Sequence, residues 1–201
     1  MKTLKSILFA VLILTIVTEL NAQYKVGDKV DDFSLKNIDG KMVSLADYKD
    51  AKGFIVVFSC NQCPVVQKYE GRIKALNEKY AAKGYPVIAI NPNDEKVQPG
   101  DSYEEMKSRA KAQGYKFPYL RDDSQQVARR FGAERTPHVY ILNKTGDDLK
   151  LVYIGAIDNN ADDAAKADKH YVKDAISALM KGESLAVTET RAVGCTIKWK
   201  M

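Results

Sequence analysis

Between residues 26 and 45 the chain alternates apolar and polar side chains, VGDKVDDFSLKNIDGKMVSL, around Asp39-Gly40. A period of two about a tight-turn dipeptide predicts a β-hairpin. FIVVF at 54–58 does not alternate, and it lies between Gly53 and a pair of cysteines. An unbroken apolar run of that length predicts a strand buried on both faces, as central strands of α/β sheets are. The period then changes. Val66, Tyr69, Ile73, Leu76 and Tyr80 recur at spacings of three and four, with Lys68, Glu70, Arg72, Lys74 and Glu78 between them. This predicts an amphipathic helix that carries Glu70 on its solvated stripe.

The pattern repeats downstream. VIAIN (87–91) reads as a second buried strand, 104–112 as a helix, and FPYL (117–120) as a strand. Residues 123–131 read as a helix turned inward through Val127, Ala128 and Phe131. HVYIL (138–142) and LVYI (151–154) flank the turn-rich Asn143–Gly146 and predict a second hairpin. Tyr171, Val172, Ala175, Ile176 and Leu179 mark a last helix ending near Gly182. Strand and helix alternating between two hairpins predict an α/β domain: a mixed central sheet, parallel in its middle, with helices on both faces. No repeat or flexible linker interrupts it, so residues 23–201 form one expected domain with a C-terminal tail from about 183.

The first residues change the picture of where the chain works. Lys2 and Lys5 precede the uncharged run Ile7–Val17, and Ala22 offers a cleavage point. That is the layout of a signal peptide over 1–22, too short an apolar run for a membrane span of ~20 residues. The expectation is an exported chain, periplasmic or secreted, with no stable membrane span after cleavage. Its net charge of +5 falls to +4 once two Lys and one Glu of the leader are removed. The charges are interleaved, not gathered in a basic stripe, so nucleic-acid binding is not expected.

Three cysteines remain, Cys60, Cys63 and Cys195, an odd number that leaves at least one thiol outside any intrachain pair. The pair in FSCNQCP could exchange electrons, hold a metal or lock a loop. Closing a four-residue loop constrains the unfolded chain little, so adjacency points to chemistry. The pair lies where a buried strand ends and a helix begins, a place where unpaired backbone N–H groups stabilise a thiolate. With Asn61 as the helix cap and Pro64 in the first turn, Cys60 is the expected exposed, ionised thiol, with Cys63 one turn on.

GDKVDDFSL with DGKMVSL, FIVVFSCNQCP and ERTPHVYIL together resemble the thioredoxin-like superfamily, in its redoxin branch of alkyl-hydroperoxide-reductase-like and thiol-disulfide oxidoreductase proteins. The resemblance covers about 25–182 and implies a three-layer thioredoxin-like fold. It implies a redox-active disulfide between Cys60 and Cys63, and Cys60 as the thiol that attacks or is attacked while Cys63 resolves. It also carries Thr136 and Pro137 onto the position of a cis-proline that packs against the cysteines and shapes docking of a partner. An unpaired backbone there could bind a partner chain as a strand. Asn61-Gln62 departs from the dipeptides of both reducing and oxidising relatives, which leaves the direction of electron flow open. Peroxiredoxins place Thr or Ser three residues before a Cys-Pro. Laid on this chain, Cys63-Pro64 would be peroxidatic, Cys60 would stand where the hydroxyl belongs, and Arg135 would be the arginine.

His138 beside the two cysteines makes a copper or zinc site conceivable, but as a strand residue it has a plainer reading, and His170 reads as a surface residue. Cys195 in RAVGCTIKWK reads as a resolving thiol, an intermolecular link or a small buried residue. Glu134 is not ranked as catalytic, and the long segment 91–115 is expected to shape the rim of the site. The expected function is an exported thiol-disulfide oxidoreductase exchanging electrons with thiols and disulfides of partner proteins. No cofactor motif is read, and the sequence specifies no oligomeric state. A peroxidase using Cys63 and a metal-binding protein are the alternatives.

Overall fold

The computed structural model describes residues 23–201, and the signal peptide read from 1–22 lies outside them. Seven strands form one sheet: β1 (Ser34–Asn37), β2 (Met42–Ser44), β3 (Gly53–Phe58), β4 (Val87–Asn91), β5 (Tyr119–Arg121), β7 (His138–Thr145) and β8 (Asp148–Gly155). The short strands β6 (Arg135–Thr136) and β9 (Cys195–Thr196) form a second sheet of their own. In the large sheet the order is β2-β1-β5-β4-β3-β7-β8, with β3, β4 and β5 parallel and the outer pairs antiparallel. The mixed sheet with a parallel centre is thus as the residue pattern predicts.

Both faces of β3 are buried because its residues feed two separate cores. Ile55 and Val57 join Val87, Ala89, Tyr119, Val139 and Ile141 under three helices: α1 (Pro64–Tyr80), α2 (Tyr103–Gln113) and α4 (Tyr171–Lys181). Phe54, Val56 and Phe58 point the other way, to Ile88, Ile90, Tyr140 and Leu142 and to α3 (Gln126–Phe131). Phe58, Phe131 and Tyr140 meet edge to face at 5.2–5.6 Å between ring centres there, a favoured aromatic geometry. The predicted inward residues of α1, Val66, Tyr69, Ile73, Leu76 and Tyr80, are all buried.

Three local expectations shift. The first hairpin pairs only over 34–44, since residues 27–30 lie instead against Leu149 and Leu151 of β8. The strand read at 117–120 begins at Tyr119, because Pro118 has no N–H to give the ladder. The first helix begins at Pro64 with Cys63 as its N-cap, not near Asn61. Proline suits that first helical position, where its missing N–H has no partner to lose.

Glu70 corrects the reading of α1 as a simple two-faced helix. It is buried, and its carboxylate accepts from the Arg109 guanidinium at 2.7 and 2.9 Å and from the Tyr115 hydroxyl at 2.6 Å. Burial and the Glu70 charge hold the Tyr115 phenol protonated well above its ordinary range. The segment 103–115 is clamped to α1 by this group. Glu70→Gln is expected to lower stability by about 2 kcal/mol, since it leaves a partly buried guanidinium without its charge partner. Urea unfolding of the purified protein reads this directly, and a change under about 0.5 kcal/mol, the scale of an exposed pair, would refute the clamp.

Candidate redox centre

The two cysteines of FSCNQCP lie between the end of β3 and the start of α1, and the sheet edge there is built by residues far off in the chain. Cys60 is 3% and Cys63 2% exposed, so the expectation of an exposed Cys60 is corrected. Its sulfur lies 3.1 Å from the Thr136 hydroxyl, while the Cys63 sulfur lies 3.2 Å from the Thr136 carbonyl oxygen. The Thr136–Pro137 peptide bond is cis. Thr136, more than seventy positions away in the chain, therefore touches both sulfurs through its hydroxyl and carbonyl.

Asp101, which no sequence pattern singled out, holds the loop beneath the pair. It is completely buried, and its carboxylate accepts from the backbone N–H of Asn61 at 2.5 Å, that of Gln62 at 3.2 Å and the side-chain amide of Asn93 at 2.6 Å. The Asn61 side chain donates to the Gly100 carbonyl at 2.9 Å and accepts from the Tyr119 hydroxyl at 2.9 Å. Asn61 is thus fixed by the 91–115 segment instead of capping α1. That segment does shape the site, from underneath as well as at its rim. Nothing local in Pro99-Gly100-Asp101 distinguishes this carboxylate from a solvated one.

The charges within the pair run opposite to the sequence expectation. Cys63, at the N-terminus of a helix of 17 residues, is held well below the ordinary thiol range, to about 4. The Cys60 thiol donating toward it is the main cause; burial opposes, and the Cys195 thiol and the backbone N–H groups of Val66 and Cys195 assist. Cys60 is pushed up by that same interaction, by burial and by the Asp101 charge. Only the protonated form of Cys63 can donate to the Thr136 carbonyl, a contact that works against ionisation. The N-terminal field of α1 and the neighbouring thiol outweigh it.

Cys195 completes the centre. It stands in β9, which pairs antiparallel with β6 so that Thr136 faces Cys195 and Arg135 faces Thr196. The backbone edge expected to be open for a partner is therefore occupied by the chain's own tail. Cys195 is half-buried against Cys60, Cys63, Val65 and Val66. Burial is the first cause that pushes its thiol up, to about 11. A cleft of about 160 Å³ opens over the sulfurs between Gln62, Gln98, Asp101 and Lys198. A larger one of about 520 Å³, near Tyr48, Lys49 and Leu149, has no cysteine in its wall. All three thiols are free in this structure.

The remaining candidates fall away from the sulfurs. Arg135 donates to the Gly194 carbonyl at 3.0 Å, so it fastens the tail. The His138 ring shares a hydrogen bond with the Tyr140 hydroxyl at 3.2 Å, and burial, with Arg135, lowers it to about 4. Glu134 is exposed. Among the described residues no group of three or more His, Cys, Asp and Glu is placed to hold a metal ion, and no helix is long and apolar enough to cross a membrane.

A solved structure of a conserved protein from Geobacillus kaustophilus is similar to this chain, with 36% identity and a TM-score of 0.81, over 89% of this chain and 94% of that one. The thiol-disulfide oxidoreductase ResA of Bacillus thuringiensis is 25% identical over 61% of this chain, and the match spans 66% of its own length, just under two thirds. A chloroplastic peroxiredoxin Q of Gentiana triflora is 26% identical over 66% of this chain and 60% of its own. The model of the AhpC/TSA family matches residues 26–147, which hold the first hairpin, both vicinal cysteines and the cis-proline. The chain is a member of the AhpC/TSA family, in the redoxin branch of the thioredoxin-like superfamily.

Proposed function

We propose that this protein is an exported thiol-disulfide oxidoreductase acting on protein thiols and disulfides, with Cys63 as its attacking thiolate. The observation that carries the reading is the placement of Cys63 at the N-cap of α1 with the Cys60 thiol donating to it. The Cys63 thiolate attacks a partner disulfide, forms a mixed disulfide and releases the first partner thiolate. Cys60 then loses its proton and attacks the Cys63 sulfur. The Cys60–Cys63 disulfide forms, the second partner thiolate leaves, and two electrons have passed to the partner. The same steps reversed oxidise a partner dithiol, and the reduction potential sets the direction. The Thr136–Pro137 edge lies under β9, so a partner reaches the sulfurs through the cleft over them, and the leader over 1–22 fits work outside the cytoplasm.

This order inverts the sequence-based expectation that Cys60 attacks and Cys63 resolves. Trapping separates the two. Cys60→Ser combined with Cys195→Ser leaves Cys63 unable to resolve, and it is expected to accumulate mixed disulfides with partner proteins; Cys63→Ser with Cys195→Ser is not. Adducts from only the second variant would restore Cys60 as the attacking thiol. Adducts from neither would end the oxidoreductase reading.

A second reading rests on the same thiolate. Cys63-Pro64 at a helix start is the peroxiredoxin arrangement named above, and a relative is a peroxiredoxin. The arginine expected to serve peroxide is spent on the Gly194 carbonyl, and Cys60 fills the position of the hydroxyl. Rapid peroxide consumption by the reduced protein in stopped flow would favour the peroxidase.

A further inference from the structure

We propose that Cys195 is a third redox thiol of this centre, carried to Cys63 on β9 as a tethered substrate strand, and that it exchanges with Cys60 for the bond to Cys63. The inference rests on the Cys60–Cys63 disulfide of the proposed function.

Three features hold the tail in that place. The pairing of β9 with β6 sets Cys195 opposite Thr136, whose hydroxyl and carbonyl touch the other two sulfurs. Gly194 passes so close to β6 that a Cβ on it would stand 2.0 Å from the Thr136 carbonyl oxygen, a position no side chain can take. The Arg135 guanidinium grips the Gly194 carbonyl from the other side.

Beyond Cys195 the chain is latched at several points. Gln125, buried and held at a φ of 59°, donates to the carbonyls of Pro92 and Lys198 and accepts from the Lys200 N–H. The Lys198 N–H donates to Asn93, and the Arg129 guanidinium lies 4.5 Å from the centre of the Trp199 ring.

The chemistry is a balanced exchange. In the oxidised protein the Cys195 thiolate attacks the Cys63 sulfur of the Cys60–Cys63 disulfide. The Cys63–Cys195 bond forms as the Cys60–Cys63 bond breaks, and Cys60 leaves as a thiolate that takes up the proton Cys195 gave away. No electrons enter or leave. Burial still opposes ionisation of Cys195 in that state, but the upward push from an ionised Cys63 disappears and Lys198 favours the thiolate. Exposure gives the exchange its use. All three cysteines line the cleft, but Cys195 is half-buried where Cys60 and Cys63 are buried, so an outside protein thiol meets the disulfide most readily at Cys195.

Tryptic mapping tests this on the whole protein, because Cys60 and Cys63 fall on the peptide 53–68 and Cys195 on 192–198. The reduced protein is treated with one equivalent of diamide, its free thiols are blocked with N-ethylmaleimide in acid, and it is digested. Wild type is expected to yield 53–68 joined to 192–198 beside the internal disulfide of 53–68. In Cys60→Ser the joined pair is expected as the main product. Gly194→Val keeps all three cysteines but expels β9, and it should reduce the joined pair at least tenfold while leaving the internal disulfide. Internal disulfide in wild type with no joined pair in Cys60→Ser would overturn the proposal alone. Absence of both disulfides from wild type would overturn the underlying reading and the exchange with it.

Discussion

Cys63→Ser is expected to abolish turnover in a coupled assay of protein disulfide reduction, a loss of roughly a thousandfold or more, as for removal of a covalent nucleophile. Neither remaining thiol can replace it. Once Cys63 is gone, burial and then the Asp101 charge still push Cys60 up, and burial pushes Cys195 up. The same variant should lose the thiolate absorbance near 240 nm that wild type keeps until about pH 4. Retention of more than a tenth of wild-type turnover would exclude Cys63 as the nucleophile.

Linkage gives this thiolate a second readout. Folding lowers Cys63, so unfolding the reduced protein at neutral pH takes up a proton, and the stabilisation is complete above the ordinary thiol value of ~8.5. It is lost as pH falls through about 4. Cys60 is raised, so its contribution is complete below ~8.5 and is lost only as pH climbs further. Between pH 8 and pH 4 the two thiols therefore do not cancel. The fall in stability that Cys63→Ser removes across that window belongs to Cys63.

Asp101→Ala is expected to destabilise the protein by about 3–5 kcal/mol, because it strips the acceptor from two buried donors and a third, partly buried one, each buried one costing ~1–3 kcal/mol when unsatisfied. Those donors are the N–H groups of Asn61 and Gln62 and the Asn93 amide. The variant also frees the cysteine loop from the segment that carries it, so disulfide exchange should slow in whatever fraction stays folded. Urea unfolding against wild type measures the first effect. A cost below about 1 kcal/mol would mean that water or another group satisfies these donors as well as the carboxylate does.

The layers of the fold were legible because periodicity reports burial. FIVVF and VIAIN are uniformly apolar since they divide their side chains between two cores, and Val66 to Tyr80 keep the helical stripe that seals one of them. Cys60, Cys63, Thr136 and Pro137 were expected through motif resemblance; the structure places Thr136 against both sulfurs, with the Thr136–Pro137 bond cis. What stayed hidden depends on partners distant in the chain. Glu70 looks solvated until Arg109 and Tyr115 fold over it, and Asp101 is one acidic residue among many until it meets the Asn61 N–H. The acid-base order of the two thiols was misread for a local reason. Taking Asn61 as the cap placed Cys60 at the helix start, whereas Pro64 at the first helical position hands that place to Cys63.

The strand that closes the centre follows in the chain every element it covers. β9 begins at Cys195, whereas its partner β6 is complete at Thr136. During synthesis the fold around Cys60 and Cys63 can assemble while the segment that covers them is still to come. The sulfurs are open to the surrounding thiols for that interval, and the arrival of β9 ends it. A chain that stops short of Gly194 keeps the sheet, the helices and the cysteine pair, and stays permanently in the uncovered state.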